Sequence, residues 1–336
     1  MPRQPSPAAQ TAATLPPPRP HAASRYRPPE LLRDLRLLDA LALTGSSEQA
    51  GRWLAISQPT VSRRYRRLAA DFGLGQRLRQ ARCSPLGASL SLSQLRLGAR
   101  WHRFEAGVAL LGTDPLHQGL LDGLHGLLAV PHRFRRCQDW LALVQAGVID
   151  AALVSSLELE LELELELEPD PDPEPVPQPP AGTGPAPQAP APVPDPWPPV
   201  AKAVRLPLGP WPLRLATVGE ASTTPRLLVP PAQLAPGLRT LLAGCAAPLV
   251  ACAPAGLHSL HAWRQQMAAE GLAAPIPEPL LRRDRGPLAG LRPLERASSL
   301  QEQLWLLLPH DWPAIPVLCQ AVEALRQLAI ASAPLG

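Results

Sequence analysis

Several features that mark particular protein classes are missing from this sequence. No apolar run reaches the ~18 residues of a membrane-spanning helix, and the N-terminal residues contain no apolar segment typical of a secretory signal. The five cysteines include no CxxC pair. We therefore expect a cytoplasmic protein with reduced thiols and no membrane partner. The spacing of Cys245 and Cys252 also allows a redox disulfide, although buried thiols are the commoner arrangement in an alanine-rich segment.

Catalytic signatures are missing as well. The sequence has no P-loop, GxSxG, HExxH or dinucleotide-binding fingerprint. His258 and His261 are three residues apart, but no cysteine or acidic residue stands beside them at metal-ligand spacing. We therefore expect no enzyme activity, no metal site and no cofactor.

Proline is abundant and concentrated in two stretches. Nine of the 46 prolines lie in residues 1–29 and fifteen in residues 169–199. Proline lacks an amide hydrogen and fixes φ, so neither stretch propagates a helix or a sheet. Residues 157–168 are six consecutive Leu-Glu pairs. We predict a disordered arm over 1–29 and a disordered low-complexity insertion over 157–199, with an acidic interaction tail or a linker between two domains as alternatives.

Charge is divided unequally along the chain. Residues 1–106 contain 17 arginines against 6 acidic residues, a net charge of +11, and residues 107–336 carry a net charge of −7. A basic N-terminal third predicts a polyanionic partner, either a nucleic acid or an anionic membrane surface.

Three helices are predicted within the basic third. Leucines at helical spacing indicate the first helix over residues 30–43, and Gly45 is a plausible C-terminal stop. Ser46 and Gln49 form a capping box that starts a second, short helix, in which small residues allow another helix to approach closely. Ser57 is the predicted cap of the third helix.

The third helix is the most informative segment of the chain. Its apolar stripe consists of Val61, Tyr65, Leu68 and Phe72. Polar side chains at a helix start suit base edges in the major groove, and arginines further along suit phosphates. A solvated arginine face on an ordinary core helix is the alternative. The residues that face away from the stripe or flank it are Gln58, Pro59, Thr60, Ser62, Arg63, Arg66 and Arg67.

Residues 45–68 resemble the helix-turn-helix of the LysR-type transcriptional regulators. The matching residues are Gly45, Ser46, Ala50, Leu54, Ser57, Gln58, Pro59, Val61, Ser62, Arg63 and Leu68, followed by Gly73. The resemblance implies a winged helix-turn-helix over residues 30–87, with a wing about three residues shorter than the family's, and it implies double-stranded DNA as the partner. The candidate DNA contacts are Ser46, Gln58, Pro59, Thr60, Ser62, Arg63, Arg66, Arg67 and Arg77.

Residues 88–107 connect this segment to the rest of the chain. Leu90, Leu97 and Phe104 repeat every seven residues, and Trp101 lies four residues after Leu97. This pattern predicts a helix with an apolar seam, which packs either on its own domain or on a second subunit. The family resemblance implies a linker helix that pairs two subunits, so we expect a homodimer or homotetramer.

Residues 108–336 alternate strand-like and helix-like segments. A strand over 108–112, a helix over 116–128 and a strand over 148–154 predict an α/β domain with a mostly parallel sheet. The domain resembles the family's effector-binding domain, a two-lobed α/β fold like the type 2 periplasmic binding proteins. That resemblance implies a small-molecule effector in the cleft, with Thr113 as a candidate contact.

These observations predict a sequence-specific DNA-binding transcriptional regulator controlled by a small-molecule effector. The expected fold is α/β overall, with an all-α winged helix-turn-helix, a linker helix and an effector domain in which residues 157–199 form the insertion. The alternative is a ligand-binding or scaffold protein whose degenerate helix-turn-helix no longer reads DNA.

Overall fold

Four helices precede the first strand in the computed structural model, which describes residues 26–74, 90–155, 202–219, 226–245, 247–282, 288–294 and 300–332. They are α1 (Glu30–Thr44), α2 (Ser47–Leu54), α3 (Gln58–Asp71) and α4 (Leu90–Glu105). We call α1–α3 the head. Most of the predicted N-terminal arm, the whole 157–199 insertion and the predicted wing residue Arg77 lie outside the described residues.

Strands alternate with helices in the rest of the described chain, which we call the α/β domain. Three short 3-10 turns, at Gln118–Leu121, Pro254–Leu257 and Trp312–Ala314, complete it. The predicted fold class, a helix-turn-helix followed by an α/β domain, is confirmed. The elements in chain order are β1 (Ala109–Gly112), β2 (Leu127–Ala129), α5 (Cys137–Gln145), β3 (Ala151–Ser155), β4 (Ala203–Val218), β5 (Arg226–Val229), α6 (Pro236–Ala243), β6 (Leu249–Ala251), α7 (Leu260–Glu270), β7 (Leu272–Pro277), α8 (Glu278–Leu281), β8 (Leu291–Pro293), β9 (Leu300–Pro309) and α9 (Pro316–Ser332).

The turn between α1 and α2 follows the signals in the sequence. Gly45 adopts a left-handed conformation, with φ of 65°, and its amide donates to the Leu41 carbonyl oxygen at 2.8 Å. Ser46 Oγ accepts from the Gln49 amide at 3.4 Å, as an N-cap does. The Gln49 side chain does not complete the box, because its Nε2 hydrogen-bonds to His258 Nε2 at 2.8 Å in the α/β domain.

The turn between α2 and α3 confirms one prediction and corrects another. A Cβ atom added to Gly51 would lie 2.7 Å from the Ile56 carbonyl oxygen, so the close approach depends on glycine. Ser57 occupies the predicted N-cap position of α3, but its Oγ hydrogen-bonds to Thr60 Oγ1 at 2.9 Å and to no backbone amide, so the expected side-chain cap is not formed. One reason is that Pro59, in the first turn, has no amide proton to offer.

Nine strands of the described residues form one sheet, in the order β2-β1-β3-β9-β4-β7-β5-β6 with β8 paired to β4. β1 runs parallel to β2 and β3, and β5 runs parallel to β6 and β7. The long strands β4 and β9 pair antiparallel and join these two parallel groups. The groups are the two lobes that the sequence predicts. The expectation of a mostly parallel sheet is wrong, because β4 and β9 pair antiparallel with each other and with their neighbours.

The two strands that flank the insertion belong to the same sheet. β3 and β4 lie on either side of β9, and both pair with it. The pairing of β4 with β9 shifts register between Pro207 and Gly209, and Gly209 has a φ of 107°. Positive φ at a bulge favours glycine, so this position introduces a bend midway along the strand pair that joins the lobes.

The helix predicted over residues 116–128 is wrong. The structure has a single 3-10 turn, Gln118–Leu121, and then the strand β2. Gly123 and Gly126 between them have φ values of 85° and 75°, which no right-handed helix accommodates. At Gly126 an added Cβ would also lie 2.7 Å from the Gly107 carbonyl oxygen, so the chain passes too close to β1 for a helix.

The head rests directly on the α/β domain. Leu38 and Val61 of the head share one buried apolar cluster with Trp140 and Val144 of α5. Polar contacts add to it at the C-terminal end of α1. Arg133 Nη1 donates to the Thr44 carbonyl oxygen at 2.8 Å, and a guanidinium nitrogen of the buried Arg135 donates to the Leu43 carbonyl oxygen.

Helix α4 is attached to both parts by buried arginines. Arg96 Nε donates to Asp39 Oδ1 of α1 at 2.8 Å, and the guanidinium groups of Arg100 and Arg103 donate to the carboxylate of Asp150. These three arginines belong to the basic third of the sequence, but they are buried and pair with Asp39 and Asp150 inside the protein. They therefore do not contribute to a surface for polyanions.

Candidate nucleic-acid interface and effector cleft

Helix α3 separates an apolar face from a basic face. Val61, Tyr65 and Leu68 are buried, and Phe72 caps the helix in a half-buried position, as the stripe predicts. The helix packs on α1 and α2. The predicted outward face is exposed at Gln58, Pro59, Arg63, Arg66 and Arg67, and half-buried at Thr60 and Ser62. No described part of the chain covers this face.

Polar side chains are connected at the start of α3. Gln58 Nε2 donates to Ser47 Oγ at 3.2 Å, which orients the amide toward the N-terminus of α2. The Thr60 hydroxyl pairs with Ser57, and the Ser46 hydroxyl is engaged as the cap of α2. Gln58 is therefore the candidate whose amide is both exposed and held in place.

The arginines of α3 carry more positive charge than the acidic residues around them neutralise. Arg67 lies 3.8 Å from Asp71, and Arg64 lies 3.7 Å from Asp34 of α1; all four side chains are about half exposed or more. Exposed ion pairs of this kind contribute little to stability, and their arginines can readily exchange the carboxylate partner for another anion. The sequence analysis did not include Arg64 among the candidate contacts, and its position on the helical wheel does not reveal that the carboxylate of Asp34 lies beside it.

One face of α4 is exposed and partly apolar. The side chains of Leu90 and Trp101 are 47% and 37% exposed, and Leu97 between them is half-buried. The predicted seam is wrong at Phe104, which is buried in the core of its own chain. The reason is that the helix turns its opposite side, with Leu92 and Ala99, toward the protein, and Phe104 lies at the edge of that side.

A charged cluster lies in the cleft between the two lobes. His117 Nδ1 is 2.8 Å from Asp114 Oδ2, and His117 Nε2 is 2.9 Å from Glu302 Oε2 on β9. Burial lowers the pKa of His117, but the two carboxylates outweigh it and hold the pKa well above 6.5. The ring is therefore a cation that ties the loop after β1 to the strand that joins the lobes.

The same cleft is closed around this cluster. It encloses a cavity of about 10 Å³, room for one water molecule. The buried Ser155 Oγ, at the end of β3, lines it and has no hydrogen-bond partner among the described residues. The predicted effector contact Thr113 is buried as well, and its hydroxyl donates to the Leu153 carbonyl oxygen at 3.0 Å. Ser155 was missed by the sequence analysis, since a serine at a strand end has no distinctive pattern.

The cysteines give no sign of an activated thiol among the described residues. Cys252 is buried, and this burial raises its pKa to about 11, which suppresses the reactive thiolate. Burial also raises the pKa of Cys245. Within the described chain no group of three or more His, Cys, Asp or Glu side chains is arranged to hold a metal ion.

The part of the chain that contains the head matches a known protein family. Residues 32–82 match a family model described as a bacterial regulatory helix-turn-helix protein of the lysR family. The head is therefore similar to the helix-turn-helix of that family. No curated protein sequence matches the chain significantly. Among the residues described, every helix falls short of the length or apolar character that a membrane crossing requires.

Several solved structures align with most of the chain at low identity. CbnR, a LysR family transcriptional regulator, is 15% identical over 89% of this chain and 99% of its own, with a TM-score of 0.41. ArgP from Mycobacterium tuberculosis is 17% identical over 87% and 96%, with a TM-score of 0.39. An OxyR mutant from Corynebacterium glutamicum is 16% identical over 93% and 96%, with a TM-score of 0.40.

Proposed function

We propose that this protein is a cytoplasmic, sequence-specific DNA-binding transcriptional regulator controlled by a small-molecule effector. The observation that carries the proposal is the exposed face of α3 in a segment that matches the lysR helix-turn-helix. Gln58 and Pro59 start that face, and Arg63, Arg66 and Arg67 continue it. A helix of this kind enters the major groove with its N-terminal residues at base edges.

The polar and basic side chains divide into two roles in this proposal. Gln58, Thr60 and Ser62, near the helix start, read base edges, and an amide such as that of Gln58 pairs with adenine through two hydrogen bonds. Arg63, Arg66 and Arg67 neutralise phosphates. Ser46, at the N-terminus of α2, and Arg77, in the predicted wing, are assigned to the neighbouring phosphates.

A regulator of this type reads two half-sites with two heads, so it requires at least a dimer. The exposed stripe of Leu90, Leu97 and Trp101 on α4 supports a homodimer or homotetramer formed through that helix. Apolar side chains at this spacing exclude water when a second copy of the helix packs against them.

The effector is assigned to the cleft between the lobes, where Thr113 follows β1 and Ser155 ends the adjacent strand β3. The ligand enters by displacing the His117 contacts that close the cleft. Because the head packs on the lobe of β1 and β3 and also contacts His258 of the other lobe, a movement of one lobe against the other changes the position of the head. Such a change couples effector binding to DNA binding.

The experiment is a binding series with the full chain. Fluorescence anisotropy compares a duplex from the region upstream of the protein's own coding sequence with a shuffled duplex of equal length, at several salt concentrations. We expect preference for the natural duplex and an affinity that falls steeply with salt, because each phosphate contact releases counterions. Equal and weak affinity for both duplexes supports the alternative, a ligand-binding or scaffold protein whose helix-turn-helix no longer reads DNA.

A further inference from the structure

A second cavity lies away from the effector cleft, where the head meets the α/β domain. Its volume is about 320 Å³, within the range of small-molecule sites. The head contributes the end of α1 and the helix α2. The α/β domain contributes the loop after β2, Gln118 at the start of one 3-10 turn, and His258 directly after another. The polar lining residues are Thr44, Gln49, Arg52, Gln118, His132, Arg133 and His258.

The lining is basic and includes no acidic side chain. Arg52 comes from the head, and Arg133, His132 and His258 come from the α/β domain. Burial lowers the pKa of His258, and the charges of Arg133 and then Arg52 lower it further, so both guanidinium groups act on this ring. Burial likewise lowers the pKa of His132. Arg52 and Arg133 thus bring positive charge from the head and from the α/β domain to one space without a carboxylate in its wall.

We propose that this cavity binds a small organic anion, carrying a carboxylate or phosphate group, between the head and the α/β domain. Arg52 and Arg133 hold the anionic group, since guanidinium pairs with carboxylate and phosphate through two parallel hydrogen bonds. His258, Gln49 and Gln118 provide further hydrogen-bonding groups. The apolar part of the ligand packs on Trp53, Val130 and Pro131, which line the same cavity.

Because the cavity lies between the head and the α/β domain, a ligand bound there contacts both. Hydrogen bonds already cross this joint from Arg133 to the Thr44 carbonyl oxygen, from Arg135 to the Leu43 carbonyl oxygen, and between Gln49 and His258. An anion that contacts Arg52 and Arg133 together adds a further connection between the two parts. The site is separate from the effector cleft and does not depend on DNA recognition by α3.

The test measures binding of inorganic phosphate and of citrate to the full chain by isothermal titration calorimetry. Arg52→Gln is the principal variant, because this side chain is 70% exposed and its ion pair with Glu48 is a surface pair, so folding is preserved. Arg133→Gln is the second variant, and circular dichroism confirms that each one folds. We expect each to weaken citrate binding about tenfold or more, which corresponds to ~1.4 kcal/mol.

The matched control is Arg66→Gln on the exposed face of α3. We expect this variant to lose DNA affinity and to bind citrate as the unaltered protein does. The proposal is overturned if neither anion binds, if both cavity variants bind citrate as tightly as the unaltered protein, or if Arg66→Gln weakens citrate as much as Arg52→Gln does. The last result would place the anion on the DNA-binding face.

Discussion

Arg103 and Asp150 form a two-point ion pair in the interior. Arg103 Nε donates to Asp150 Oδ2 at 2.9 Å and Arg103 Nη2 donates to Asp150 Oδ1 at 2.7 Å, while Arg100 Nε reaches the same carboxylate at 3.2 Å. The Leu110 amide donates to it as well, at 2.7 Å. One buried carboxylate therefore holds α4 against β1 and the start of β3.

Asp150→Asn removes the charge that two buried guanidinium groups require. Leaving such charges uncompensated typically costs ~3–5 kcal/mol, so we expect a loss of this size in the free energy of unfolding. Urea denaturation followed by circular dichroism measures it. Glu105→Gln is the control. It is an exposed change in the last turn of α4, the helix that carries both arginines, and should have little effect on the free energy of unfolding. A loss below ~1 kcal/mol for Asp150→Asn would contradict this account.

The buried cation at His117 predicts a dependence of stability on pH. Its pKa in the folded protein is well above the ordinary value of 6.5, so the protonated ring stabilises the fold fully below about pH 6.5. This contribution is lost as the pH rises through the folded-state pKa. We expect the free energy of unfolding to fall as the pH is raised from 6.5, and His117→Gln to remove that part of the decline.

The matched control for His117 is the exposed His125, in the loop that follows it. His125→Gln should keep the pH dependence of the unaltered protein in the same urea titrations. If His117→Gln and the unaltered protein have parallel profiles between pH 6.5 and pH 9, the ring does not carry the charge that its two carboxylate partners imply.

Two helical glycines predict opposite effects of one substitution. In Gly51→Ala the new methyl group meets the Ile56 carbonyl oxygen, a backbone atom, and we expect a loss of ~1–3 kcal/mol in stability. In Gly98→Ala the methyl group enters open space on the exposed face of α4, and we expect a gain of ~0.5–1 kcal/mol. Thermal unfolding of the two variants tests this. A gain in stability for Gly51→Ala would show that the turn at Ile56 moves to accommodate the methyl group.

Substitutions on α3 separate base reading from phosphate binding. Gln58→Ala or Ser62→Ala should reduce discrimination between natural and shuffled duplexes by ~1–3 kcal/mol each. Arg67→Ala should weaken both duplexes alike and lower the salt slope by about one. Arg326→Ala, an exposed change on α9, is the control for charge. Unchanged discrimination in Gln58→Ala would remove Gln58 from the base contacts.

Local signals made the head predictable from the sequence. Gly45 ends α1, Ser46 caps α2, and the spacing of Val61, Tyr65 and Leu68 defines α3, because each signal acts within a few residues. The alternation of strands and helices also gives the α/β class. The helix expected over residues 116–128 failed, since apolar spacing alone does not show that Gly123 and Gly126 adopt positive φ.

Contacts between distant residues account for what the sequence did not reveal. Arg96 meets Asp39 across 57 positions, and His117 meets Glu302 across 185. In the sequence, Arg96, Arg100 and Arg103 of α4 only add to the basic character of the N-terminal third, although folding removes them from the surface. The anion cavity is equally hidden, because Arg52 and Arg133 come together only when the head packs on the α/β domain.

The arginines at the end of α1 make the head dependent on the rest of the chain. Helix ends leave carbonyl oxygens without partners, and here Arg133 and Arg135 supply donors for those of Thr44 and Leu43. They also place positive charge at the negative pole of the helix. An excised fragment consisting of the helix-turn-helix would lose these donors and expose the apolar side of Leu38 to water. DNA-binding measurements are consequently better made on the intact chain than on the excised helix-turn-helix.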